Sequence, residues 1–191
     1  MNLKKWELLI IGVSLSFAVN AQIRVEAGSQ INAPTESYFS CAIGGYVEAE
    51  YNFMKSLEAG LYIGAQHILM TDDWQKQWKE SWGYSYKDAD ENLFPVKVSL
   101  LYHFSVKKFQ PYAGIETGIT KFHTVYSYYD SAYGWLTNNY SESHFTLSAR
   151  AGFYLKMTQH AGVDLNVRYN GLDLNYLSAS AGIFFQIGNE K

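Results

Sequence analysis

Eight segments of the chain alternate apolar and polar residues with a period of two, and this pattern limits the fold more than any other feature. Such alternation predicts a β-strand with one apolar and one polar face. Eight of these strands in one domain predict an all-β fold, an antiparallel up-and-down barrel. The segments span 23–31, 40–51, 57–68, 94–104, 111–122, 145–156, 161–170 and 176–187.

The two faces of the predicted strands differ in charge. We expect the apolar faces of all eight strands to carry no charged side chain. The polar faces contain many glycines and five basic and six acidic side chains, namely Arg24, Glu26, Glu48, Glu50, Glu58, Lys97, Glu116, Arg150, Lys156, Asp164 and Arg168.

The balance of charge on the polar faces indicates which side of the barrel they occupy. The interior of an eight-stranded barrel is only just wide enough for side chains. A glycine-rich row whose charges can pair fits that interior, whereas rows of Phe, Leu and Tyr do not. Apolar rows on the outside predict a transmembrane barrel with a solid core and no conducting pore. The alternative with apolar rows inside is a soluble periplasmic lipocalin-like carrier of an apolar ligand.

The N-terminal segment is expected to direct export. Lys4 and Lys5 precede an apolar run over 8–19, and small or apolar residues at Val19 and Ala21 fit a signal-peptidase site. We expect a cleaved signal peptide over 1–21 and a barrel domain over 22–191. Export and a membrane barrel together predict the outer membrane of a Gram-negative bacterium, with outer-membrane lipid as a partner.

Composition excludes several other classes. A net charge of -3 gives no basic surface for nucleic acid. One cysteine excludes a disulfide framework and a cysteine-based zinc finger. None of the five histidines forms an H-E-x-x-H pair. No cofactor or metal is therefore expected.

Connections between the strands alternate between short and long, as an up-and-down membrane barrel requires. The short turns fall at 52–56, 105–110 and 156–160, and the two longest loops cover 69–93 and 123–144. In the first long loop, a tryptophan at every fourth position predicts a short helix over 71–83, which either packs on the barrel rim or binds a partner. The second is predicted to form a hairpin above the membrane. Candidate recognition residues are Trp74, Trp78, Trp82, Tyr126, Tyr128, Tyr129, Tyr133 and Trp135.

The turn at 52–56 also sets an expected strand register. It places Tyr51 opposite Leu57 and the carboxylates of Glu50 and Glu58 opposite each other, so we expect Arg24 to lie between or beside them. A second interior cluster is expected from the neighbouring strands that carry Glu116, Arg150 and Asp164. The same register puts Cys41 opposite His67 on the outward face, a thiol beside an imidazole that could be reactive or merely apolar.

Two segments carry a family resemblance. The stretch Phe109-Gln110-Pro111-Tyr112-Ala113-Gly114 resembles a strand of the small outer-membrane β-barrels of the OmpX/OmpA type. The ending Ala181-Gly182-Ile183-Phe184-Phe185-Gln186-Ile187 is similar to their aromatic last strand, although Gly188 to Lys191 follow it here. The resemblance implies recognition of the last strand by the outer-membrane assembly machinery and a monomer. It implies no particular activity.

The predicted function is non-enzymatic. We expect a small outer-membrane protein that displays its aromatic loops to bind a surface protein or glycan, or to build surface structure. The alternative is an outer-membrane lipid-modifying enzyme. His144 lies next to Ser143 and Glu142, but consecutive strand residues point to opposite faces and cannot converge.

Overall fold

The computed structural model describes residues 22–34, 39–70, 86–130, 132–172 and 175–188. Each strand pairs antiparallel with the next, and β8 pairs with β1, so the sheet closes into an up-and-down barrel and confirms the predicted fold. The strands are β1 (Gln22–Pro34), β2 (Phe39–Met54), β3 (Leu57–Met70), β4 (Tyr86–His103), β5 (Phe109–Asp130), β6 (Gly134–Lys156), β7 (Ala161–Leu172) and β8 (Tyr176–Ile187).

The strands are strongly staggered around the ring. Following paired residues once around, from Ile23 on β1 through Tyr51 on β2 and onward to Leu177 on β8, returns to β1 at Ala33. This offset of ten residues over eight strands corresponds to a strand tilt of about 40°. The short turns lie at one end of the barrel, called the lower end below, and the β5–β6 hairpin lies at the upper end.

Side chains alternate between a buried interior and an exposed exterior. Along β8 the pattern is regular, with every second residue from Tyr176 to Gln186 buried. Large apolar residues face outward on every strand; Val98 is 55% exposed and Ile183 is 57% exposed. The lumen is polar, so the apolar-inside arrangement of a lipocalin-like carrier is excluded.

The expectation of an uncharged outward face is wrong at Lys121. This residue is exposed and pairs with Phe94 on β4 and Ser143 on β6, in phase with the outward-facing Ile119. Lys121 lies at the upper edge of the apolar belt, where the outward face becomes polar, and a cation is better tolerated at such an edge than in the middle of the belt.

The predicted register between β2 and β3 is also wrong. Tyr51 pairs with Ala59 instead of Leu57, and the two strands run on to a tight turn at Met54 and Leu57. A bulge between Asn52 and Met54 shifts the pairing by one residue. Without that bulge, the register set by the tight turn would point the outward row of one strand into the lumen.

Glycines in the lumen make room for large aromatic rings, as the sequence predicts. A Cβ atom added at Gly162 would lie 2.6 Å from Phe184 Cζ, and one at Gly152 would lie 2.8 Å from Tyr112 Oη. A Cβ added at Gly182 would lie 2.6 Å from Tyr46 Oη. The rings therefore occupy the space that side chains would otherwise take.

At the upper end three strands extend beyond the others. β4 reaches up to Tyr86, and β5 and β6 pair as far as Asp130 and Gly134. These strands are longer than the predicted segments, and the hairpin predicted for 123–144 is confirmed. The signal peptide over 1–21 and the helix predicted over 71–83, with Trp74, Trp78 and Trp82, lie outside the described residues. In the described part of the chain, no helix has the length and apolar character needed to cross a membrane.

Candidate functional site

A cluster of buried charges occupies the middle of the lumen. Arg150 donates two hydrogen bonds to Glu48, of 2.7 and 2.8 Å, across the barrel from β6 to β2. The same guanidinium lies 3.4 Å from Glu116 and 3.3 Å from Asp164. Tyr112 donates to the Asp164 carboxylate at 2.9 Å. Charge-assisted bonds of this kind are roughly twice as strong as neutral ones.

A second arginine joins this cluster from β7. Arg168 donates to Glu116 at 2.9 Å and to Glu48 at 3.4 Å. Lys97 lies 3.8 Å from Glu116 and donates to Ser148 at 2.9 Å. Glu48 and Glu116 therefore each contact two cations or more, and the cluster ties β2, β4, β5, β6 and β7 together.

A second group of charges lies toward the lower end and is linked to the first by Arg150, which lies 3.7 Å from Glu50. Arg24 on β1 lies 3.3 Å from Glu50 and 3.0 Å from Glu58, so it sits between the two carboxylates. Its guanidinium stacks 3.8 Å above the ring of Tyr154, whose hydroxyl donates to Glu50 at 2.7 Å. His103 lies 3.4 Å from Glu58. Charge pairing and ring stacking therefore hold β1, β2, β3, β4 and β6 together at this end of the lumen.

Apolar and aromatic layers accompany the charges at both ends of the lumen. Near the lower end the buried rings of Tyr112, Tyr154 and Phe184 pack with Leu101. At the upper end Ala42, Ile68 and Leu93 form a second cluster with Phe122 packed against it. Among the described residues, no group of three or more His, Cys, Asp or Glu side chains could hold a metal ion.

The protruding hairpin displays large aromatic side chains. Tyr133, at its tip, is 81% exposed, and Gly134 next to it has a φ of 78°, which a tight turn requires. Below the tip, the rings of Tyr129 and Trp135 meet edge to face at 5.6 Å. Tyr126 and Tyr128 lie on the opposite face with ring centroids 6.2 Å apart.

The face of the hairpin above the lumen also carries three polar side chains that contact one another. Tyr140 donates to Glu142 at 3.0 Å, and His144 lies 3.2 Å from the same carboxylate. The hydrogen bond to Glu142 raises the pKa of Tyr140. Burial raises the pKa of Glu91, and the charge of Glu142 raises it further. This face is acidic and rich in tyrosine.

Solved structures with the same architecture come from outer membranes. The attachment invasion locus protein Ail of Yersinia pestis is 11% identical, with 88% of this chain and 99% of Ail covered and a TM-score of 0.57. OprG of Pseudomonas aeruginosa is 14% identical, covering 89% of this chain and 97% of OprG, with a TM-score of 0.60. The chain has the fold of the small outer-membrane β-barrels.

A solved structure from a third bacterium has the same barrel fold. A major outer-membrane protein of Thermus thermophilus is 12% identical, with 87% of this chain and 99% of that protein covered and a TM-score of 0.60. Ail has also been solved with the heparin analogue sucrose octasulfate. No protein-family model and no curated protein matches the sequence.

The small outer-membrane barrel fold brings together most of the interior residues singled out in the sequence. Arg24, Glu50 and Glu58 form one cluster, and Glu116, Arg150 and Asp164 belong to the other. Sequence analysis placed Glu48 and Arg168 on the polar face but missed them as members of the central cluster. Their contacts cross the lumen, and adjacent-strand pairing gives no signal for such contacts.

Two arrangements considered for catalysis differ from expectation. Cys41 pairs with Leu69 and not with His67, because the register is shifted by two residues. His67 instead lies 3.3 Å from Asn92. His123 Nδ1 lies 2.8 Å from Ser141 Oγ, but among the described residues no ion pair links a carboxylate to His123. His144 and Glu142 lie on the other face of β6.

Proposed function

We propose that this chain is a monomeric outer-membrane surface protein that recognises an external ligand with its protruding β4–β6 sheet, without enzymatic activity or a conducting pore. The apolar belt faces lipid, the short turns face the periplasm, and the last strand is read by the assembly machinery. The observation that carries the proposal is the extension of β5 and β6 to Asp130 and Gly134, far past the last pair between β6 and β7, Thr146 and Leu172.

The chemistry of this sheet suits recognition. Tyr and Trp provide large contact areas at low cost in conformational entropy. Tyr133, Trp135 and Tyr140 are all more than half exposed. Among the described residues, β7 does not pair with β6 from Gly134 to His144, so an extended segment could add to this edge. Together these features offer an aromatic surface and a free strand edge.

The supporting evidence against catalysis is the absence of an assembled triad in the described residues. A nucleophile needs a base within hydrogen-bond reach and a third group that orients the base. His123 and Ser141 meet the first condition, but no hydrogen bond or ion pair from a carboxylate to His123 is present among the described side chains. This supports a binding role over the lipid-modifying alternative.

A binding screen tests this proposal. Purified protein in lipid nanodiscs would be applied to arrays of surface proteins and of neutral and sulfated oligosaccharides, the latter because Ail was solved with a heparin analogue. A trimmed variant would replace 126–138 by a short Gly-Ser turn. We expect one ligand class to bind the full chain and to lose binding to the trimmed variant.

The trimmed variant must retain the barrel for the comparison to be valid. Folding is checked by heat-modifiable gel mobility, since the barrel below Thr124 is untouched. Equal binding of a ligand by both proteins, or no binding to any probe by the full chain, would contradict recognition by the hairpin. Release of fatty acid from membrane lipid by the full chain would favour the enzymatic alternative.

A further inference from the structure

A row of polar side chains crosses the outward face of four neighbouring strands at the upper edge of the apolar belt. His67 on β3 pairs with Asn92 on β4, Asn92 pairs with His123 on β5, and His123 pairs with Ser141 on β6. The side chains are linked in two pairs, His67 to Asn92 at 3.3 Å and His123 to Ser141 at 2.8 Å. The row is therefore ordered before any ligand binds.

Lys121 lies directly below this row. It sits between Phe94 and Ser143 on the neighbouring strands and two residues from His123, on the same outward face. Lys121 takes part in none of the ion pairs among the described residues. The outward acid next along β4 is Asp90, which pairs with Val125 above the row. The ammonium is thus available to an external anion.

The position of Lys121 relative to the belt indicates the source of that anion. The exposed apolar residues Ile119, Phe94 and Phe145 mark the top of the belt just below the row. A lysine on the lipid face is costly at mid-membrane but costs only about 0–1 kcal/mol near the interface. Its stem can cover apolar surface while the ammonium reaches the headgroups.

Among the described residues of β1, β2 and β7, the side chains nearest this height carry no charge. With a strand tilt of about 40°, the level of Lys121 passes close to Ala33 on β1, Cys41 on β2 and Gly171 on β7. None of these side chains is charged. Among these described residues at the level of Lys121, the cationic group therefore lies on the side of the barrel below the protruding sheet.

We propose that Asn92, Lys121, His123 and Ser141 form a binding site for the phosphate of an anionic lipid in the leaflet that faces the hairpin, with His67 holding Asn92 in place from β3. The Lys121 ammonium supplies the charge, and ring N–H, amide and hydroxyl donors complete the shell around the phosphate oxygens. Charge-assisted hydrogen bonds to phosphate are the strong ones in proteins. The apolar belt beneath the site accommodates the acyl chains.

Native mass spectrometry of the protein released from nanodiscs tests the site. The discs contain phosphatidylcholine doped with phosphatidic acid, and a second arm uses undoped discs with inorganic phosphate. Lys121→Gln should lower retention of phosphatidic acid about tenfold, the effect of losing one charge-assisted contact. Lys108→Gln, an exposed lysine in a lower turn, removes the same charge elsewhere and should leave retention unchanged.

Two substitutions of His123 test whether its hydrogen-bond donor contributes to binding. His123→Gln retains an amide donor and should lower retention less than His123→Leu, while heat-modifiable mobility confirms that each variant folds. Equal losses in Lys121→Gln and Lys108→Gln would show general charge attraction and overturn the site. Binding of inorganic phosphate by the protein from undoped discs, without retention of phosphatidic acid from doped discs, would overturn the lipid as the ligand of this site. None of these outcomes depends on a ligand of the hairpin.

Discussion

At the residue scale, stability depends on how each buried charge is compensated. Arg150 contacts Glu48, Glu116 and Asp164, and its guanidinium is fully buried. Breaking a buried pair by removing one partner typically costs about 3–5 kcal/mol, because the remaining charge stays buried and uncompensated. The loss is greater here than for a surface residue, since three buried carboxylates each lose one cationic partner.

Arg150→Ala should therefore lower the free energy of unfolding by about 3–5 kcal/mol. Urea titration of the protein in lipid vesicles, followed by tryptophan fluorescence, measures this change. Lys107→Ala, in an exposed turn, is the matched control and should change the free energy by less than about 0.5 kcal/mol. Equal urea midpoints for Arg150→Ala and wild type would contradict the central role of this arginine.

The acids of the lumen outnumber its arginines and lysine. The buried cations are Arg24, Lys97, Arg150 and Arg168, and the carboxylates below the hairpin are Glu26, Glu48, Glu50, Glu58, Glu116 and Asp164. Glu26 accepts a hydrogen bond from Tyr46 and forms no ion pair among the described residues. Glu48, in contrast, accepts from two arginines.

We expect Glu26→Gln to leave the free energy of unfolding unchanged or to raise it, because it removes a surplus acid and retains an acceptor for Tyr46. Glu48→Gln should lower it by about 3 kcal/mol, since two buried arginines lose a shared carboxylate. The same urea titration compares the two variants. If Glu26→Gln lowers the free energy of unfolding as much as Glu48→Gln does, the Glu26 carboxylate contributes to stability and is not a surplus acid.

At the element scale, the ladder between β3 and β4 is interrupted. Pairing runs up to Ile63 and Val96 and resumes at Gln66 and Leu93, leaving a gap opposite Pro95. Proline has no backbone N–H to donate, so it interrupts a ladder inside a sheet. Pro111 lies two residues after the start of β5 at Phe109, where the ladder with β6 is continuous.

Pro95→Ala should therefore be more stable than Pro111→Ala by about 1 kcal/mol, the value of one recovered hydrogen bond. Both variants lose the rigidity of proline in the unfolded chain, so that contribution cancels in the comparison. Urea midpoints give the difference, and amide hydrogen exchange should slow around 63–66 in Pro95→Ala only. Identical stability and exchange in the two variants would show that the gap is not caused by Pro95.

The elements also show what the sequence can and cannot predict. Alternation predicts which side chains face outward, because lipid and a filled lumen impose opposite requirements on the two faces. A shift of two residues leaves every face unchanged, so Tyr51 opposite Leu57 and Tyr51 opposite Ala59 are equally compatible with the pattern. The upper end of β4, over 86–93, was missed because apolar–polar alternation ends there, whereas the tyrosine content of 123–144 did predict the hairpin of β5 and β6.

At the scale of the whole molecule, closure brings distant strands into contact across the lumen. Arg150 and Glu48 are 102 residues apart and lie on strands that do not pair. Sequence analysis identified the charged face and the adjacent-strand pairs, but not the partners across the barrel. Those depend on the offset of ten residues around the ring, which no local pattern contains.

Removal of the signal peptide is a prediction at the scale of the whole molecule. The first described residue of β1 is Gln22, which pairs with Asn52 and reaches the edge of the lower end. Cleavage after Ala21 would therefore leave no extra residues before the barrel. Mass spectrometry of protein extracted from membranes should find Gln22 at the N-terminus. An intact 1–21 segment in mature protein would indicate a retained anchor.

Conduction depends on whether the interior is filled from end to end. Arg24, stacked on Tyr154, lies at the lower end, the arginine–carboxylate cluster lies in the middle, and Leu93 and its neighbours lie at the upper end. An ion would have to separate buried charge pairs to pass, and each separation costs several kcal/mol. Wild-type protein in planar bilayers should therefore show no single-channel steps.

A positive control makes that result meaningful. Replacing Arg24, Tyr154 and Arg150 together by serine removes material from both the lower and the middle parts of the lumen, while the outward belt stays intact. The upper apolar cluster would then be the remaining barrier, and adding Phe122→Ser should open it to water. Steps that appear only in the combined variant would support a closed core. Steps of similar size in wild type would mean that the charge clusters rearrange to admit ions, and the non-conducting assignment would be wrong.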